Sequence, residues 1–191
     1  FTLSGQLIRQ DAVKGGGNND PAKSYFEANG KSFILGSSAR LQVSQWDISF
    51  NYTRITKAGR FLFPREWGKE PLFTFLPRER NEGLGNVNAY MIKVKYDFEK
   101  ARLAFEFGSG LYILPTVSDF RYNKYGMTSY FQENFLVEHT FSRKLEGMKA
   151  SLLFVYKGKY GNDYVAAKNI INKVNVSLWS LQLNYLLHYS K

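Results

Sequence analysis

Apolar and polar residues alternate with period two along most of this chain. That rhythm is what a strand with two different faces requires. Trp46, Ile48, Phe50 and Tyr52 are interleaved with Asp47, Ser49, Asn51 and Thr53. Tyr90, Ile92, Val94, Tyr96 and Phe98 oppose Met91, Lys93, Lys95 and Asp97. The same alternation covers 1–13, 32–44, 101–113, 131–141, 148–157 and 179–189, with Glu133 interrupting one apolar face. Eight candidate strands result, and no stretch makes a convincing helix.

The connections alternate long and short. Long ones run over about 14–30, 57–87, 116–128 and 161–172, and short ones fall near 44–46, 98–101 and 143–147. Pro21, Pro64, Pro71, Pro77 and Pro115 all lie in long connections or at their edges. Proline donates no ladder hydrogen bond, so this is where it is tolerated. Strands of ten or more residues, aromatics near strand ends and this loop asymmetry match an outer-membrane barrel. A soluble calyx of the lipocalin kind has a similar length. Its small apolar interior does not suit a polar face on nearly every strand. The expected fold is therefore all-β, a transmembrane antiparallel up-and-down β-barrel, with residues 1–191 forming one domain or part of one. The expected place is the bacterial outer membrane, with lipid and lipopolysaccharide as surroundings.

Composition narrows the function classes. The chain has no cysteine, which removes disulfide frameworks, zinc–thiolate sites and Cys nucleophiles. No run of 18 apolar residues offers a membrane helix. No leader segment is recognisable, which predicts a processed chain or a fragment. The net charge of +10 admits anionic partners. The basic residues are dispersed and no reader motif is present, which argues against nucleic acid.

One loop is distinctive. Phe61 to Gly83 reads FLFPREWGKEPLFTFLPRERNEG. Three prolines make it neither strand nor helix, and it is too aromatic for a plain connector. The segment 61–85 resembles that of OprD-like outer-membrane porins, particularly forms from Bacteroidetes. The resemblance implies a monomeric barrel of about eighteen strands, wide enough for an aqueous channel. Inward-folded loops would narrow it, and this chain would be its C-terminal portion. It implies passive passage of small carboxylate-bearing solutes, with Arg65, Arg78 and Arg80 as the arginines inside the matching segment. The last strand departs from the pattern, since Lys191 stands where an aromatic is expected. Alternation alone also permits a complete eight-stranded barrel, acting as an anchor or as a partner-binding subunit of a larger outer-membrane complex.

If the aromatic face meets lipid, the inward bases are Arg40, Lys93, Lys95, Arg102, Lys149 and Lys157. The inward acids are Asp47, Asp97, Glu106 and Glu138. Bases outnumber acids, so the expected preference is for small anionic solutes. In the loop, Arg65, Glu66, Arg78, Glu79, Arg80 and Glu82 either line a constriction or pin the loop to the wall by ion pairs. Lys14, Lys23, Lys57, Arg121, Lys124, Lys159 and Lys168 are placed to meet lipopolysaccharide phosphates. No catalytic constellation is expected. His139 and His188 both fall near the short-turn end, and Glu133 and Glu138 have opposite parity, which separates them to two faces. The GGG at 15–17 lacks the Lys-Ser/Thr of a phosphate loop. No cofactor and no metal site is expected.

Overall fold

A computed structural model describes residues 1–12, 29–63, 69–79, 81–161 and 174–186. Eight strands form one antiparallel sheet in chain order. They are β1 (Thr2–Asp11), β2 (Lys31–Val43), β3 (Trp46–Ile55), β4 (Val87–Phe98), β5 (Leu103–Ile113), β6 (Tyr130–Thr140), β7 (Met148–Lys159) and β8 (Val176–Tyr185). Each pairs only with its sequence neighbours, which makes an up-and-down meander. No described residue is in an α-helix; single 3-10 turns at Glu99–Ala101 and Arg143–Leu145 serve two short connections. The short connections gather at one end of the sheet and the long ones at the other. The long connections at 14–30 and 161–172 lie almost wholly outside the described residues.

The sheet does not close. β1 pairs with β2 alone and β8 with β7 alone, so a complete eight-stranded barrel is not what these strands form. Sterics give a reason. An eight-stranded interior is just wide enough for its own side chains. Here one face carries a folded loop whose Leu72, Leu76, Phe73 and Phe75 need that space.

Parity sorts the two faces as the alternation predicts. On the bare face, register aligns Leu41, Ile48, Val94, Phe107, Phe135, Phe154 and Trp179 in one row across seven strands. Neighbouring rings touch along it, with centroids 4.8 Å apart for Phe107–Phe135 and 4.5 Å for Phe154–Trp179. Towards the short turns, Trp46, Tyr96, Phe98 and Phe105 form a contiguous aromatic group. Towards the loops, the Tyr52 ring lies against that of Tyr90. From the Phe98 row to the Tyr90 row, the apolar band runs about 27 Å along the strands.

The other face is polar near the short turns and apolar near the loops. Ile34, Ile55, Val87, Ala89, Tyr112 and Tyr130 project from the strands into a core with Phe61, Leu72, Leu84 and Leu114. Each large side chain fully buried there contributes about 1.5–3 kcal/mol. This core lies between sheet and loop, not between two sheets. It holds the described parts of the loop, 61–63, 69–79 and 81–85, down on the face.

Arg102 departs from expectation. It takes a left-handed φ of 51° and caps the 3-10 turn before β5, so it is exposed in a short connection. It is not an inward strand residue. The strand expected from 101 starts at Leu103 instead.

Candidate functional site

The loop after β3 is closed at its neck by two backbone hydrogen bonds. Phe61 N donates to Leu84 O and Gly83 N donates to Phe61 O, each at 2.8 Å. Inside, the Glu70 carboxylate accepts from Asn81 N at 2.7 Å, Glu82 N at 2.9 Å and Asn81 Nδ2 at 3.1 Å. The loop after β5 buttresses the neck. Gly85 N donates to Tyr122 O, and Tyr125 OH donates to Glu82 Oε2 at 2.7 Å.

From that neck the loop crosses the polar face, hydrogen-bonds to four strands and forms an ion pair with a fifth. Gln6 and Gln10 of β1 donate to Pro71 O and Leu62 O. Thr74 Oγ1 donates to Thr53 Oγ1 of β3 at 2.9 Å. Tyr112 OH of β5 donates to Thr74 O at 2.7 Å. Gln132 and Asn134 of β6 both donate to Pro77 O, at 2.9 and 3.0 Å. Tyr130 of β6 donates to Glu79, and Lys157 Nζ of β7 lies 3.6 Å from the other Glu79 oxygen. Lys157 also sits over the Tyr130 ring, 4.3 Å from its centroid.

Two glycines let the loop approach. A Cβ at Gly108 would stand 2.6 Å from Leu76 Cδ2, and one at Gly36 would stand 3.1 Å from Phe73 Cδ2. Glycine in a strand interior often marks such a close approach.

The sequence-predicted site residues divide into groups. Arg65, Glu66 and Arg80 lie outside the described residues, as do Lys14, Lys23, Lys168 and His188. Glu79 and Glu82 reach the sheet and the neighbouring loop as just described. Arg78 takes a φ of 72° and is exposed. Arg121 and Lys124 lie over the rings of Tyr122 and Tyr125 at the long-loop end. His139 projects on the bare face against Phe141.

The inward bases have close acidic partners. Arg40 Nε donates to Asp47 Oδ1 at 2.7 Å, and its Nη2 contacts the second oxygen. Lys93 lies 3.5 Å from Glu106, Lys95 2.9 Å from Asp97, and Lys149 2.7 Å from Glu138. With Lys157 and Glu79, each of these five bases has an acid beside it, and Lys159 at the end of β7 is a sixth base on the same parity. Parity alone counts Arg102 as inward, which the fold puts in a turn, and does not see Glu79, which the loop delivers.

Gln6, Gln10, Thr53, Tyr112, Tyr130, Gln132 and Asn134 were not singled out by sequence. Their signal was parity. Tyr112 and Tyr130 are large aromatics on the polar register, stacked at 4.8 Å. No family model matches the chain, and neither a curated protein nor a solved structure is significantly similar to it.

Proposed function

We propose that this chain forms part of the wall of an outer-membrane porin of the OprD-like kind, passing small hydrophilic solutes by diffusion without a catalytic step. One observation carries the reading. A sheet with open edges has a broad apolar face, and its polar face bears a loop bonded to strands from β1 to β7. In a larger barrel, added strands would satisfy both edges, as lipid demands. The loop would then narrow an aqueous lumen. The net charge of +10 supports a preference for anions, set at the basic rims where Lys57, Arg121 and Lys124 lie.

Single-channel current of the full-length protein in a planar bilayer under a KCl gradient tests this. Discrete steps, with a reversal potential on the anion side, are expected. Replacing Arg78 by Ala shifts that potential towards zero if the loop lines the path. Protein that is folded by heat-modifiable migration and yet passes no current would refute the porin.

A further inference from the structure

We infer that the loop-covered face holds a binding site for net-neutral, hydroxyl-rich solutes, sugars being the class it suits. The site takes its access to water from the porin reading, but its chemistry stands on the residues. A concavity of about 450 Å³ lies between the loop and the short-turn half of strands β1 to β5. Its floor carries the charged residues Arg40, Asp47, Lys93, Lys95 and Glu106. Register puts Asp47 directly opposite Lys95, and Lys95 opposite Glu106, on three successive strands. Sign therefore alternates along that row, and Arg40, Ser49 and Lys93 form the next one.

That alternation decides the class of solute. A free carboxylate entering here meets cations that already have a carboxylate at 2.7 to 3.5 Å. It has to share them against like-charge repulsion. A free cation meets the mirror problem. A hydroxyl donates and accepts at once, so it bridges an ammonium and a carboxylate without adding charge. Vicinal hydroxyls at ring spacing do so repeatedly. Ser4, Ser38, Ser49 and Asn51 add neutral donors and acceptors on the same floor.

The roof supplies the other half. Along 72–76 the loop alternates buried and half-buried positions, with Leu72, Thr74 and Leu76 turned into the packed side. Phe73 and Phe75 line the concavity instead. Gly36 leaves room for the Phe73 ring, which fixes its place. A phenyl face is an apolar platform for the C–H face of a sugar ring, while its hydroxyl edge meets the ionic floor.

The test is a calorimetric titration of the folded, detergent-solubilised protein with sucrose, and separately with glutamate and with lysine. Saturable sucrose binding is expected, tighter than that of either charged probe. Phe75→Ala should weaken it roughly tenfold. Glu106→Gln frees Lys93, so glutamate binding should rise while sucrose binding falls. If Phe75→Ala fails to fold, Ser49→Ala replaces it, and sucrose binding should weaken about threefold to tenfold. Absence of saturable sucrose binding, tighter glutamate binding by the unaltered protein, or variants that bind unchanged would each overturn the site. The titration needs no channel. Sucrose binding without current keeps the site and removes the porin, and current without sucrose binding does the reverse.

Discussion

Tyr130 of β6 donates its hydroxyl hydrogen bond to Glu79, a loop carboxylate whose side chain is fully buried. A buried carboxylate needs such donors, because leaving a charged group unpaired costs more than the bond itself contributes. Tyr130→Phe keeps the ring and its stack on Tyr112 but removes the donor. The expected loss is about 1–3 kcal/mol of stability, read from urea unfolding of the folded protein. Tyr52→Phe removes a half-buried neutral bond to Asn88 and should cost less, about 0.5–1.5 kcal/mol. Equal losses from the two would say that Glu79 does not depend on Tyr130.

Gly108 and Gly5 make a matched pair for the close approach of the loop. A Cβ at Gly108 meets Leu76 at 2.6 Å, and Leu76 is 1% exposed, so it has little room to yield. A Cβ at Gly5 meets nothing within 4 Å. Gly108→Val should therefore destabilise by about 1–3 kcal/mol, while Gly5→Val stays within about 0.5 kcal/mol. Chemical denaturation of both variants checks the contrast. A neutral Gly108→Val would mean that the loop does not rest on β5.

The strands and the two faces were legible in the sequence because alternation is local and each strand repeats it. The turn ends were less so. Arg102 continues the polar parity of β5, yet its left-handed φ of 51° puts it in the turn, and parity does not encode φ. The site was legible only in outline. Glu79 reads as one acid in a charge-rich run, and nothing local says that it meets Tyr130, 51 residues away. Such pairs arise when a loop folds back over a sheet, and their sequence separation hides them. Gly36 and Gly108 were the visible traces, since a glycine inside a strand pattern signals a near neighbour.

The free edges of β1 and β8 make a prediction about the intact protein. Each presents a line of backbone groups with no partner strand among the described residues. Lipid supplies no hydrogen bonds to such groups. In full-length protein folded in micelles, amide exchange should be as slow in β1 and β8 as in β4. Rapid exchange at every second amide of either strand would show a true free edge, and the larger barrel would then be lost.

The bare face decides between membrane and water. Phe135 sits mid-row between Phe107 and Phe154, and is 45% exposed. If that row faces hydrocarbon, Phe135→Lys places a charge in the apolar band. It should cost about 2–4 kcal/mol near the bilayer midplane, falling towards zero near the interfaces. If the face meets water, the same change touches no buried group and stays within about 0.5 kcal/mol. Glu133 sets the complementary case, because it is a carboxylate on the same face between Ser109 and Tyr156. Glu133→Leu should stabilise a lipid-facing sheet and leave a water-facing one nearly unchanged. Urea-dependent folding into phosphatidylcholine vesicles measures both variants against the unaltered chain. Destabilisation by Phe135→Lys together with stabilisation by Glu133→Leu assigns the face to lipid, and two flat responses assign it to water.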